Sequence, residues 1–203
     1  MPTPSRPVPT TLWNLAGFYR LTVGQYRKMI DAGVFSECEP VELLEGYLVN
    51  SPRPLTPRAA TTRSRINKVF NNMRWEGWCY YPLSSLTLTE SEPEPDFSIV
   101  RGVDEDYSER FPGLNDIGLV GEISESSLAF DRTEKGRVYA RAGIPVYWIV
   151  NVADRQVEVY IDPDTAANPP AYRTRTDYKP GDTVPITLDG TQAGTIGVSE
   201  LLP

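Results

Sequence analysis

The chain has 203 residues, of which 40% are hydrophobic, enough for a globular protein with a sizeable core. Its 20 basic and 27 acidic residues give a net charge of −7, which argues against a protein that coats nucleic acid through bulk charge. Histidine is absent, which excludes Ser-His-Asp triads, Cys-His pairs, HExxH zinc sites and histidine general bases. Any catalysis must therefore use carboxylates, lysine, tyrosine, serine or a bound metal.

The cysteines and the N-terminal segment indicate a cytoplasmic protein. Cys38 and Cys79 lack CxxC spacing and are too few for a disulfide framework or a thiolate zinc site, so we expect reduced thiols. Residues 1–15 are proline-rich and contain no signal peptide, and we expect a flexible tail ahead of one domain over residues 16–203. The longest apolar run, residues 144–150, is far shorter than the roughly 20 residues of a membrane helix, so no membrane association is expected.

Turn residues and apolar periodicity divide the chain into helices and strands. Thr22 is typical of an N-cap, Glu45-Gly46 of a tight hairpin turn and Thr56-Pro57 of a helix start. The elements predicted in chain order are a helix over 23–32, a hairpin over 41–49, a helix over 56–74, strands over 79–89, 96–100 and 119–124, a helix over 131–142, strands over 146–150 and 156–161, and short strands to the C-terminus. The strand–helix–strand series of residues 119–150 indicates a βαβ unit in a mixed sheet, and thus an α/β fold.

Three charged residues stand at the ends of these central elements. Asp96 opens a strand, Glu122 lies in the next, and Lys135 lies in the first turn of the following helix, which Asp131 is expected to cap. Lys135 extends the apolar stripe that includes Val138, so its ammonium group is expected to face the sheet and pair with Glu122. Two carboxylates and a lysine meeting at strand ends would suit a divalent metal and phosphodiester hydrolysis. A buried salt bridge with a turn aspartate is the alternative explanation.

The segment from Ser51 to Trp75 contains no Asp or Glu, the strongest local departure from the acidic balance of the chain. Its basic side chains are candidates for contact with nucleic-acid phosphates, without sequence readout. The candidates are Arg53, Arg58, Arg63, Arg65 and Lys68. An ordinary solvated helix face is the alternative. Trp75, Trp78 and Trp148 are expected to pack in the core and not to stack on bases.

Taken together, the chain resembles the Uma2 family of endonucleases, a branch of the PD-(D/E)xK restriction-endonuclease-like superfamily. The resemblance extends from about residue 19 to residue 203. The segments that carry it are Leu21-Thr22, Val41 to Gly46, Ser51-Pro52, Pro95-Asp96, Gly121 to Ser124, Asp131 with Lys135 and Tyr139, and Ala142 to Val150.

The resemblance implies a restriction-endonuclease-like core, in which helices flank a central mixed β-sheet, with an N-terminal helix and hairpin and short C-terminal strands. Asp96 would be the motif aspartate and Glu122 the second acid. The usual lysine position holds Ser124, and Lys135 would take its place. Mg²⁺, or Mn²⁺, would be held by Asp96, Glu122 and the backbone carbonyl near Ile123.

The resemblance also implies that Glu42 is an additional acid beside the metal, whereas a solvated hairpin carboxylate is the alternative. DNA would be the substrate, and a homodimer would allow both strands to be cut. Family members often carry a histidine at the start of the second helix, where this chain has Arg58, Ala59 or Ala60. This departure favours the main alternative function, a catalytically inactive nucleic-acid- or protein-binding module with the same fold. An unrelated carboxylate-pair hydrolase, such as a glycosidase, is a third hypothesis.

Overall fold

The computed structural model of the protein describes residues 17–36, 39–51 and 56–203. Within them the helices are α1 (Val23–Asp31), α2 (Pro57–Asn72), α3 (Leu128–Phe130), α4 (Gly136–Ala142) and α5 (Val198–Leu201). The strands are β1 (Val41–Leu44), β2 (Tyr47–Asn50), β3 (Trp78–Pro82), β4 (Phe97–Arg101), β5 (Ile117–Ser124), β6 (Val146–Asn151), β7 (Gln156–Asp164), β8 (Ala171–Tyr178), β9 (Thr183–Leu188) and β10 (Thr191–Gly197). The expected tail over residues 1–15 lies outside this part of the chain. No helix in the described ranges is long and apolar enough to cross a membrane.

Six strands form the central sheet in the order β3-β4-β5-β6-β7-β8. The β5–β6 pair is parallel, whereas the pairs on either side of it are antiparallel. The parallel pair needs a crossover connection, and α3, a π-helical turn (Asp131–Lys135) and α4 provide it. The strands β1 and β2 form a separate hairpin, as do β9 and β10. The predicted mixed sheet flanked by helices, with its βαβ unit, is confirmed.

The two faces of the sheet carry separate hydrophobic clusters, and β6 contributes to both. Trp148 and Val150 belong to the cluster that α2, α5 and the β9–β10 hairpin cover. Tyr147 and Ile149 belong to the cluster on the α4 face. All six residues of β6 are buried, because a strand covered on both faces needs a continuous apolar run and not an alternating one. Trp148 is buried in this core, and Trp75 and Trp78 pack against it, as expected.

Local sequence signals account for the first elements. The Thr22 side chain accepts a hydrogen bond from the Gln25 N–H and so caps α1. The Thr56 side chain does the same for the Ala59 N–H at the start of α2. Glu45 and Gly46 have φ values of 50° and 81°, the left-handed pair that a two-residue hairpin turn requires. These three predictions are confirmed, although α2 ends at Asn72, two residues before the expected end.

Two predicted elements have the wrong boundaries. The strand expected over residues 79–89 ends at Pro82. Beyond it, the N–H groups of Leu86 and Leu88 donate to carbonyls of the adjoining loop at 2.9 Å each. The alternating leucines are buried by the packing of this irregular segment and not by a strand. The helix expected to begin at Asp131 begins three residues earlier, at Leu128. Asp131 is therefore not a cap, and its carboxylate is bound by serines of the preceding turn.

Candidate active site

Asp96 and Glu122 lie opposite each other where β4 begins and β5 approaches its end. Phe97 pairs with Gly121 in the register of these strands, so Asp96 and Glu122 take the next positions and point to the same face. The Ile123 N–H donates to Asp96 Oδ2 at 2.7 Å. Because the N–H and C=O of one strand residue point to the same edge, the Ile123 carbonyl also faces Asp96. Two carboxylates and a backbone carbonyl are thus brought to one end of the sheet.

Gly121 permits this approach of β4 to β5. A Cβ at position 121 would lie 2.0 Å from Cζ of Phe97, far inside van der Waals contact. Phe97 is fully buried against Trp148 and Phe70 on the α2 face, so its ring has no free space into which to move. Position 121 of β5, directly before Glu122, therefore requires a residue without a side chain.

Lys135 is fully buried and lies between two carboxylates. Its Nζ is 3.3 Å from Glu122 Oε1 and also donates to Glu42 Oε2. Glu42 is 3% exposed and its Oε2 also accepts from the Glu94 N–H at 3.2 Å. The predicted pairing of Lys135 with Glu122 is confirmed. Glu42 is not a solvated hairpin carboxylate, because β1 carries it into the same buried cluster.

The π-helical turn that contains Lys135 is anchored to the end of β5. Ser124 and Ser127 donate their hydroxyl protons to Asp131 Oδ2 at 2.5 and 2.6 Å. The Tyr147 hydroxyl donates to the Asp131 carbonyl at 3.0 Å. Such turns are frequent at functional sites. Ser124 thus orients the turn that delivers Lys135 from the following helix.

Tyr139 holds Glu122 from the next turn of the helix. Its hydroxyl donates to Glu122 Oε1 at 2.8 Å, and the ring is fully buried. Burial first, and then the charge of Glu122, raise the pKa of Tyr139 well above 10. The phenol therefore stays protonated and remains a donor. Tyr139 had no predicted role, although its spacing of four residues from Lys135 places both on one helix face.

Arg63 of α2 also reaches this end of the sheet. Its Nη2 is 2.7 Å from Asp96 Oδ1, and its side chain is 24% exposed. The buried Arg63 Nε has no hydrogen-bond partner among the described residues. One of the predicted phosphate-binding residues therefore lies in the candidate site itself, on Asp96.

A cleft leads from these residues to the surface. Its charged lining residues are Glu42, Arg63, Glu94 and Asp96. Pro40, Leu83 and Pro95 form apolar parts of its wall. The cleft therefore combines a charged floor with apolar walls.

Comparison with known proteins shows the family and the fold. The family described as "Uma2: Putative restriction endonuclease" matches residues 23–193. The chain belongs to the Uma2 family. A crystal structure described as "a putative nuclease belonging to DUF820", from Anabaena variabilis ATCC 29413, is similar with a TM-score of 0.55 at 17% identity, over 89% of this chain and 97% of that chain. This likeness shows the fold alone. No curated protein matches the chain.

The other basic residues proposed for DNA contact have different surroundings. Arg58 donates to the Val152 carbonyl at 2.9 Å, and Arg65 donates to the Leu202 carbonyl at 2.5 Å. Lys68 is exposed. Arg53 lies outside the described residues. The structure thus brings Arg63 to Asp96, whereas Arg58 and Arg65 bond to backbone carbonyls of other segments.

The oxygen atoms of the Uma2 site suit a magnesium ion. Within residues 17–36, 39–51 and 56–203, no group of three or more His, Cys, Asp or Glu side chains is arranged to hold a metal. Mg²⁺ needs fewer, because it keeps several waters and is commonly bound through one or two carboxylates. Asp96, Glu122 and the Ile123 carbonyl are donors of this kind, and the cations of Arg63 and Lys135 balance the two acids.

Proposed function

We propose that this Uma2 protein is a metal-dependent endonuclease that hydrolyses phosphodiester bonds in DNA. The observation that carries the proposal is the buried ammonium group of Lys135, held by Glu42 and Glu122 beside Asp96. Burying a cation and several carboxylates is energetically expensive, and a purely apolar core would be at least as stable. Such clusters concentrate at functional sites. The matching family and the similar crystal structure are both described as nucleases.

Asp96, Glu122 and the Ile123 carbonyl would hold Mg²⁺ or Mn²⁺. When bound, such an ion supplies Lewis acidity at a phosphoryl oxygen and lowers the pKa of a coordinated water. The oxygen donor set fits Mg²⁺ and Mn²⁺ better than softer metals, because the site contains no thiolate or imidazole.

The side chains around the metal position would have separate roles in catalysis. The Lys135 ammonium orients the attacking water and stabilises the negative charge that develops on the phosphate. Arg63 donates hydrogen bonds to a phosphate oxygen, for which its planar guanidinium is well suited. Glu42 and Tyr139 are positioning residues. Glu42 holds Lys135 in place, and Tyr139 holds Glu122.

The DNA substrate would lie along the cleft and the exposed side of α2. A chain of net charge −7 cannot attract DNA by overall charge, so binding depends on local contacts from Arg53, Arg58, Arg65 and Lys68. We also propose a homodimer, because two such sites would cut both strands of a duplex.

The test is cleavage of supercoiled plasmid and of single-stranded DNA in Mg²⁺ or Mn²⁺, with EDTA as the metal-free control. Wild type is expected to nick the plasmid only with metal. Asp96→Asn, Glu122→Gln and Lys135→Gln are expected to lose this activity, whereas Glu109→Gln, an exposed acid that does not line the cleft, is expected to retain it. Metal-dependent nicking that survives in Asp96→Asn would refute the assignment.

A catalytically inactive binding module is the second candidate. The specific observation in its favour is that Arg63 and Lys135 already neutralise Asp96 and Glu122, an arrangement that a purely structural ion-pair network would also show. Calorimetric titration with Mn²⁺ separates the two functions. A nuclease site must bind the ion, and binding must weaken in Asp96→Asn, whereas a binding module has no need of it.

A further inference from the structure

Leu83 exposes an apolar side chain from a strained backbone at the mouth of the cleft. Its φ is +46°, in the left-handed region, where the Cβ of a bulky residue crowds the following carbonyl. The residue is 55% exposed, so burial of the leucine does not compensate for this conformation. Strain of this kind persists only where the surroundings impose it, and it clusters at functional sites.

The other described non-glycine residues with positive φ differ from Leu83 in chemistry. All of them are polar or charged, namely Glu45, Arg155, Asp162 and Asp189. Glu45 and Asp189 each precede a glycine in a tight hairpin turn, where such geometry is ordinary. Leu83 has no comparable explanation in the turn chemistry.

Backbone contacts hold Leu83 beside the motif acid. Pro82 pairs with Phe97 at the end of the β3–β4 register, which places Leu83 opposite Asp96. The Leu83 N–H donates to the Asp96 carbonyl at 3.2 Å. The Ser84 hydroxyl donates to the Pro82 carbonyl at 3.0 Å and closes the turn. The leucine side chain is therefore positioned by the same strand end that positions Asp96.

The chemistry of the cleft matches a nucleotide. Arg63 provides a cation for a phosphate. Leu83 and the neighbouring prolines at positions 40 and 95 provide apolar surface, against which a base face or a sugar can pack. Apolar side chains that insert beside bases are a known way for proteins to grip or unstack a strand.

We propose that Leu83 packs against the nucleobase or deoxyribose adjacent to the scissile phosphate and so positions the DNA strand in the site. This inference rests on the proposed nuclease function, which supplies the phosphate. Leu83 is a substrate-binding residue in this scheme, and its strained backbone directs the side chain at the strand and away from the core.

The test uses a fluorescein-labelled 20-base DNA, single-stranded and duplex, with anisotropy measured in EDTA so that cleavage cannot occur. Plasmid cleavage in Mg²⁺ is measured in parallel. Leu83→Gly and Leu83→Ala are expected to raise the Kd about tenfold and to lower kcat/KM by a similar factor, whereas Leu83→Met retains both. Leu114→Ala is the matched control, because Leu114 is an exposed leucine (38%) that precedes the opposite end of β5.

The thermal unfolding temperature of each variant shows whether it is folded. Glycine adopts a φ of +46° without penalty, so Leu83→Gly is expected to melt close to wild type, and its weaker DNA binding cannot come from misfolding. Binding and cleavage by Leu83→Gly at the wild-type level would overturn the inference while the nuclease assignment stands. A wild-type protein that neither binds nor cleaves DNA would overturn both.

Discussion

The guanidinium group of Arg63 and the carboxylate of Asp96 form an ion pair of 2.7 Å at the entrance of β4. The pair places a cation of the protein on the acid that would hold the metal. A metal ion and Arg63 therefore compete for the same negative charge, and release of Arg63 would free it for the phosphate.

Removal of this competing cation is expected to tighten metal binding. We predict that Arg63→Gln binds Mn²⁺ about tenfold more tightly than wild type, about 1.4 kcal/mol, while its DNA cleavage falls. Calorimetric titration measures the affinity. Lys68→Gln, an exposed residue of the same helix, is the control and is expected to bind Mn²⁺ as wild type does. Unchanged or weaker affinity in Arg63→Gln would show that the two cations do not compete.

Lys135 is the cation that the buried carboxylates of Glu42 and Glu122 share. Lys135→Met leaves two carboxylates buried without their cation, so we predict a loss of about 3–5 kcal/mol in the free energy of unfolding. Urea denaturation measures it. The second change Glu42→Gln is expected to restore part of the loss, because it removes one of the unpaired charges.

Lys179→Met is the control for this prediction, since Lys179 is exposed, and it is expected to stay within about 0.5 kcal/mol of wild type. A loss of under about 1 kcal/mol in Lys135→Met would contradict the charge balance inferred from the structure.

Tyr139 donates to a buried carboxylate, and Tyr139→Phe removes only that hydroxyl. We predict a loss of about 2 kcal/mol, as for hydrogen bonds to charged groups, and a lower nuclease rate, because Glu122 loses its orientation. Since burial raises the pKa of Tyr139 well above 10, the loss should be the same at pH 7 and pH 9. Urea denaturation at both values is the measurement, with the exposed Tyr19→Phe as control. A loss confined to one of the two pH values would count against a constant donor.

Glu158 of β7 fastens the π-helical turn to the sheet through Arg132, whose Nε lies 3.0 Å from Glu158 Oε2. Burial acts to raise the pKa of Glu158, but hydrogen bonds from Arg132, Asn151 and Tyr160 outweigh it and lower the pKa from 4.5 to about 2. Because the folded-state pKa is the lower one, the stabilisation is complete above pH 4.5 and is lost as the pH falls towards 2.

Glu158→Gln is therefore expected to lose about 3 kcal/mol at pH 7 and much less at pH 3. Urea denaturation at pH 7, 4.5 and 3 tests this, with the exposed Glu109→Gln as control. An equal loss at every pH would mean that packing, and not the charge of Glu158, holds Arg132.

Elements that are set by interactions between residues close together in the chain were predicted from the sequence. The Thr22 cap and the Glu45-Gly46 turn are confirmed, since capping and left-handed turn geometry depend on neighbouring residues alone. Residues 83–89 were predicted as strand and are not, because Leu86 and Leu88 are buried in an irregular segment whose N–H groups donate to carbonyls of the adjoining loop. The periodicity of apolar residues indicates which side chains are buried, but it does not show whether strand pairing or another contact buries them.

The sequence by itself determined the mixed α/β fold through the order of its elements, and its motifs carry the Uma2 resemblance. It also determined the pairing of Lys135 with Glu122, because helix and strand periodicity fix which face each side chain takes. Only the tertiary structure decided that Glu42, 93 residues before Lys135, shares its ammonium group, that Arg63 lies on Asp96, and that Leu83 stands at the cleft. These contacts join elements far apart in the chain. Their geometry is set by how the β1–β2 hairpin, α2 and β3 pack around the sheet, and local propensities do not encode that packing.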